Sequence, residues 1–259
     1  MNNSQKRMLE LLRDLKENHG VVGVKAEFEA EATRTNEMIT LSQIVARADS
    51  DIFLKIGGCE AVSDIDDSKI FATRGVIAPM IETPFALQKF EGAVKKVYGD
   101  NEEGTKFLIN IETKTGYDNL DAILDANNGM IDGVVIGRVD LSASYGLDRS
   151  KIENENIFKI CKDILTKVKA RGLLAGMGGA ISADTIPNLK KLEGVIDRVE
   201  TRKIIFDITK GTDKMCTGLS KAIEFEYLYI YDLKQRYSAM AGENSARIAM
   251  LEQRLKNIR

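Results

Sequence analysis

Two short apolar runs in this chain each end in a carboxylate. In the stretch GVVIGRVDLSASYGL, residues 133–147, Val134-Val135-Ile136 is β-branched and short enough to be a fully buried strand. Asp140 follows the closing Gly137 by three residues. Residues 107–112, Phe-Leu-Ile-Asn-Ile-Glu, repeat the design and end on Glu112. A carboxylate just past a buried parallel strand sits where α/β proteins gather their chemistry. Two such acids are what a hard divalent cation requires of a protein. Taken alone, Asp140 reads equally well as a turn residue or a helix cap, both common places for aspartate.

The other strand-like runs also end in polar residues: Glu27 and Glu29, Lys55, Glu82, Gly178-Gly179, and Glu200-Thr201-Arg202-Lys203. If the strands close into a barrel, these ends converge on one mouth. Two acids for a metal, with Lys55 and Arg202 for a substrate carboxylate or phosphate, make a coherent site for an enolate. The metal would chelate a 2-oxo acid and polarise its carbonyl, and a nearby cation would stabilise the developing negative charge. Each residue also has a plainer reading. Lys55 pairs with Glu27, Glu29 or Glu82, Arg138 forms a surface salt bridge instead of clamping a substrate anion, and Gly178-Gly179 is a tight turn.

The elements that position these residues alternate. Met8, Leu11, Leu12 and Leu15 recur at helical spacing over residues 4–18, with Ser4 a plausible cap. Strands are expected at 21–29, 52–56, 76–82, 107–112, 133–137, 173–179 and 195–201. Helices are expected at 36–48 (with Ile39, Ile44 and Val45 on one face), 61–72, 85–98, 119–126, 156–171 and 186–192. Residues 203–207 supply an eighth short strand, or the barrel is irregular. The expected fold class is α/β, a TIM-type (β/α)8 barrel. An open doubly wound sheet is the alternative, and it lacks a Gly-rich dinucleotide loop after the first strand. Residues 1–218 would form the barrel with its N-terminal helix, and residues 219–259 a helical extension. In that extension Ala222, Phe225, Leu228, Tyr229, Leu233, Tyr237, Ile248, Leu251, Leu255 and Ile258 fall mostly three or four apart. It reads as two helices broken near Ala241-Gly242. So long an apolar stripe beyond a barrel calls for another surface, and a homo-oligomer is expected.

Bulk properties narrow the classes. The 259 residues are 44% hydrophobic and 29% charged with a net charge of −2, which argues against nucleic acid or an anionic membrane as the main partner. No apolar run approaches the ~20 residues of a membrane span. The N-terminus lacks the apolar core of a signal peptide. Three widely spaced cysteines, Cys59, Cys161 and Cys216, suit reduced thiols in a cytoplasm. The single histidine, His19, precedes the first expected strand, so mechanisms built on a histidine base have almost no candidate.

IETKTGYDNLDAILD followed by DGVVIGRVDLSASYGL, with GVIAPMIETPFAL upstream, resembles the HpcH/HpaI aldolase and citrate lyase beta-subunit family over roughly residues 21–202. The resemblance implies a TIM-type barrel that binds Mg²⁺ or Mn²⁺ and makes or breaks a carbon–carbon bond beside a carboxylate. It implies Glu112 and Asp140 as the metal ligands. It matches Lys55 to the family's catalytic arginine, a change from a planar fork to a point charge that can lose its proton; that leaves open a base or Schiff-base role. The family's acid–base histidine has no counterpart in Ala26-Glu27-Phe28-Glu29-Ala30-Glu31, so Glu27 or Glu29 would replace it. Arg138-Val139 replaces a proline-containing dipeptide. The expected function is a metal-dependent lyase acting on a 2-oxo acid through a pyruvate-like enolate. The alternatives are a CoA-thioester lyase of the citrate lyase type and a catalytically lapsed barrel serving as an oligomeric scaffold.

Overall fold

The computed structural model describes residues 1–101 and 104–258, and the Asn257 and Ile258 side chains lie outside what it describes. The chain opens with α1 (Asn3–Asn18), which buries Met8, Leu11, Leu12 and Leu15. Its cap is Asn2 and not Ser4: the Asn2 side chain accepts from Gln5 N–H while the Gln5 side chain accepts from the Asn2 N–H, a reciprocal capping box.

Strands and helices then alternate: β1 (Val21–Glu27), α2 (Thr35–Arg47), β2 (Ile52–Lys55), α3 (Val62–Ile70), β3 (Gly75–Ala78), α4 (Pro84–Tyr98) and β4 (Lys106–Ile111). Two short helices follow, α5 (Lys114–Asp118) and α6 (Leu120–Asp125), where one was expected. The second half runs through β5 (Gly133–Gly137), α7 (Arg138–Ser144), α8 (Glu155–Ala170), β6 (Leu174–Gly178), α9 (Ile186–Lys191), β7 (Arg198–Glu200), β8 (Ile204–Asp207) and α10 (Asp213–Ile258). The buried face of α2 is Met38, Leu41, Ile44 and Val45; Ile39, expected among them, points outward.

The eight strands close into one barrel in sequence order. Neighbours from β1 to β7 pair in parallel, as crossover helices demand. β8 is antiparallel to both β7 and β1. Only residues 201–203 separate β7 from β8, and a parallel return needs a dozen or more. The barrel is therefore closed but irregular.

Phe53, Ile77, Leu108, Val135 and Ile205 fill the barrel interior. The Phe53 ring lies flat between glycines, and a Cβ at Gly23 would meet it at 2.8 Å. The Arg198 guanidinium sits over the same ring at 4.2 Å. These groups plug the lower half of the barrel.

α10 is one continuous helix of 46 residues, roughly 69 Å long at 1.5 Å per residue. The expected break at Ala241-Gly242 does not occur; an isolated glycine costs a helix only about 1 kcal/mol relative to alanine. The expected boundary after Gly218 falls inside this helix. Met215, Leu219, Ala222, Phe225 and Tyr229 bury its first half. Residues 238–256 are exposed throughout. Among the described residues no helix is long and apolar enough to cross a membrane.

Candidate active site

A cavity of about 340 Å³ opens at the C-terminal ends of the strands. Strand alternation explains its lining. Lys25 and Glu27 sit two apart on β1, Asn110 and Glu112 two apart at the end of β4, and residues two apart share a face. Lys55 ends β2, and Asp140 lies in the first turn of α7, directly after β5. Gly178, Gly179, Glu200 and Arg202 complete the rim, with Arg149 and, from α10, Ile223 and Glu226.

Glu112 is deeply enclosed, with its side chain 1% exposed. Its Oε1 accepts from the Met80 backbone N–H at 3.0 Å, and its Oε2 accepts from Asn110 Nδ2 at 3.0 Å and Lys55 Nζ at 3.4 Å. Met80 holds this pose with φ of 51°, a left-handed conformation that a non-glycine residue adopts at a cost of order 1 kcal/mol or more. Gly137 makes room for the carboxylate: a Cβ there would lie 2.7 Å from Glu112 Cβ and overlap Oε2. Burial pushes the Glu112 pKa above the usual carboxylate range, against the opposing pull of Lys55, the Met80 N–H and Asn110.

Lys55 Nζ lies 2.7 Å from Glu29 Oε2 and bridges it to Glu112. Burial works against its charge, but Glu112, Glu29 and Glu27 outweigh burial and hold its pKa above the ordinary lysine value. It is an ammonium here, so a depressed pKa lends nothing to a Schiff-base role. Of its anticipated plain partners, Glu29 makes the direct contact and Glu82 instead accepts from Thr113 at 2.6 Å. Burial would raise Glu27, but Lys25, Arg202 and Lys55 together hold it below the usual range. Arg202 bridges Glu27 at 3.6 Å and Glu31 at 3.0 Å.

Arg138 does not face the cavity. Its Nη1 donates to Glu153 Oε1 at 2.8 Å, and its Nη2 donates to the Gly179 carbonyl at 2.8 Å and to Thr185 Oγ1. The expected substrate clamp is thus a buried structural tie between α7 and the loop after β6. At Gly179, with φ of +90°, a Cβ would come within 2.9 Å of the Arg138 and Val139 backbone nitrogens, so this glycine lets two loops meet.

Lys25, Asn110, Arg149 and Arg198 escaped the sequence reading, whereas Glu200 was among the strand-end residues expected at the mouth. Lys25 Nζ reaches Glu27 at 3.2 Å and Glu200 at 3.4 Å. Arg198 Nη2 sits 2.7 Å from Glu200 Oε1 without hydrogen-bond alignment. A polar residue two before a strand-ending acid was the available signal for Lys25 and Asn110.

The lining suits a hard cation. Four cationic and six carboxylate side chains face the cavity, a formal excess of two negative charges. Glu112 and Asp140 come from adjoining strands, and burial leaves Glu112 short of positive charge. No cluster of three or more metal-type side chains occurs among the described residues. Two carboxylate ligands completed by water are the usual pattern for Mg²⁺.

The family model described as HpcH/HpaI aldolase/citrate lyase matches residues 19–185. A 2-keto-3-deoxy-L-rhamnonate aldolase of Escherichia coli O6:K15:H31 is 34% identical over 85 residues, 33% of this chain and 31% of that protein. Its counterpart in Escherichia coli K12 is 35% identical over the same share. The chain spans about a third of the curated relatives it matches. An HpcH/HpaI aldolase structure from Desulfitobacterium hafniense DCB-2 superposes with a TM-score of 0.62 at 14% identity, covering 75% of this chain and 82% of that one. A family structure from Burkholderia cenocepacia J2315 gives 0.57 at 15% identity, covering 78% and 92%. At such identities these two establish the fold alone.

Proposed function

This chain belongs to the HpcH/HpaI aldolase/citrate lyase family, and on that premise we propose that it is a divalent-metal-dependent aldolase. It would cleave and form 4-hydroxy-2-oxo acids through a pyruvate-like enolate. The observation that carries the reading is buried Glu112 sharing with Asp140 a cavity where carboxylates outnumber cations by two. These two residues would hold Mg²⁺ or Mn²⁺, which when bound supplies a Lewis acid for the 2-oxo group.

The side chains divide the remaining work. Lys55, held as an ammonium by Glu29 and Glu112, stabilises negative charge on the substrate's C2 oxygen. Glu29, more exposed than Glu27, takes the proton of the C4 hydroxyl as the C3–C4 bond breaks. The bonding pair moves onto C3 of the three-carbon fragment as enolate, the aldehyde departs, and the proton returns to C3. Glu27, kept ionised by Lys25 and Arg202, tunes the field around that exchange. Arg202 and the Gly178-Gly179 backbone border the substrate.

A homo-oligomer built on α10 accompanies this reading. The unpaired cysteines support a reducing compartment, the cytoplasm. Incubation with pyruvate, a panel of aldehydes and Mn²⁺ or Mg²⁺, followed by mass detection, tests the reaction. New 4-hydroxy-2-oxo acids that disappear with EDTA are expected; full turnover after exhaustive metal removal refutes it. A CoA-thioester lyase is less favoured, since among the described residues that line the cavity carboxylates outnumber cations by two, a poor match for a polyphosphate carrier.

A further inference from the structure

Six of the exposed apolar residues of α10 share one heptad frame, and Tyr231, Met240 and Met250 lie outside it. Ile223, Tyr227 and Ile230 in the half packed on the barrel, and Ile248, Leu251 and Leu255 beyond it, are 44% to 62% exposed. Spacings of three and four put 223, 227 and 230, and again 248, 251 and 255, at the a and d positions of one frame; Lys234, Tyr237, Ala241 and Asn244 occupy the positions between, and Ile258 would continue it by sequence. Ala222, Phe225 and Tyr229, buried against the barrel, lie off that seam; Tyr237, a half-buried d position between the two sets, instead bonds Glu37 of the protomer's own α2. The protomer cannot cover its own ridge, because residues 238–256 are exposed on every side. An isolated helical tail of that length is marginal in water. The family match ends at residue 185, so the tail is a property of this chain rather than of the matched region.

Charge selects the occupant. In the frame set by Ile248 and Leu251, Arg247 is a g position and Glu252 the e position five residues on. In a parallel, in-register pair each g faces the e of the next heptad across the seam, so Arg247 of one copy meets Glu252 of the other. An antiparallel pair sets g against g, arginine against arginine. Ile248 at a with Leu251 at d favours two strands, while Leu255 and Ile258 reverse that order, so the two-strand state rests on the Ile248 layer. Asn244 at a d position would face its own copy and oppose slippage.

We propose that α10 pairs with α10 of a second copy of this chain as a parallel two-stranded coiled coil. The pairing deepens the oligomer named above and stands apart from the reaction. The symmetry is a closed twofold with its axis along the seam. Ile223, at the barrel end of the seam, also lines the cavity, so the partner's helix borders the cavity mouth.

Light scattering on the full chain at micromolar concentration should give twice the 28.7 kDa of one protomer. Leu251→Glu with Leu255→Glu, both at exposed positions, should give the single-protomer mass, with helical signal lost only from the tail and the barrel's denaturant unfolding unchanged. Arg247→Glu should weaken the dimer about tenfold, and adding Glu252→Arg should restore it. In a Cys59→Ser, Cys216→Ser background, Asn244→Cys should form a disulfide-linked dimer under mild oxidation. A monomeric or trimeric wild type, a dimer indifferent to the double glutamate variant, or failure of the Asn244→Cys protein to cross-link overturns the proposal. A dimer without aldolase activity would refute only the reaction, and an active monomer only the pairing.

Discussion

Replacing Lys55 by methionine separates two roles that a single activity assay would merge. The ammonium lies 3.4 Å from Glu112 Oε2 and 2.7 Å from Glu29 Oε2, so it both faces the reacting oxygen and occupies part of the positive charge that Glu112 accepts. At 3.4 Å and an effective dielectric of about 20, the attraction to Glu112 is roughly 5 kcal/mol before desolvation is subtracted. If a fifth to a third of that survives, the competing ammonium weakens metal binding by about tenfold. Lys55→Met should therefore lower turnover by on the order of a hundredfold or more, the usual loss for one electrostatic donor. The same change should tighten Mn²⁺ binding by about tenfold, read by titration with electron paramagnetic detection. The metal-free variant should lose about 3 kcal/mol of stability, since removing one partner strands a buried charge, and Mn²⁺ should restore part of it. Turnover and Mn²⁺ affinity falling together would refute this reasoning and make Lys55 a structural partner of Glu112. Near-normal turnover would remove it from the mechanism.

Asp140→Asn should weaken Mn²⁺ binding at least tenfold while leaving the melting temperature of the metal-free protein nearly unchanged, because the residue is exposed and caps nothing buried. Gly137→Ala drives a methyl group into the Glu112 carboxylate; it should cost 1–3 kcal/mol of stability by overpacking and abolish most activity, measured by denaturant titration and turnover. Stability should fall on acidification. Burial opposes the ionised forms of Glu27 and Glu200, but Lys25 and Arg202 hold Glu27, and Arg198 and Lys25 hold Glu200, below the ordinary 4.5. Their contribution is complete above that unfolded value and is lost as pH drops through the lower folded values. A melting temperature that stays flat from neutral pH to below 4 would contradict this.

The sequence carried the strand ends and therefore most of the cavity. Glu27, Glu29, Lys55, Glu112, Asp140, Gly178, Gly179 and Arg202 were legible because each follows an apolar run, and all eight line one cavity. Arg138 was misread because position beside Asp140 does not reveal direction; on a helix, neighbours two apart point to different sides. Lys25 and Arg198 sit inside strands, where a charge looks like an outward-facing residue unless the barrel's inner face is already assigned. The reversed direction of β8 was encoded in the three residues before it, a linker too short for a crossover. The unbroken α10 shows the limit of glycine as punctuation: Gly242 is flanked by good helix formers, and no proline follows to enforce a stop.

The plugged floor beneath the cavity also sets a traffic rule. With Phe53 wedged between Gly23 and Gly75 and the Arg198 guanidinium over its ring, the described side chains fill the barrel below the cavity, which leaves the mouth at the strand ends as the doorway. On the proposed reaction the three-carbon fragment sits inward, against Glu112 and Lys55, and the aldehyde lies toward the opening. The aldehyde must depart first on cleavage and arrive second on synthesis. Steady-state kinetics should accordingly be ordered, with pyruvate alone able to bind the empty protein and excess aldehyde able to obstruct pyruvate's approach.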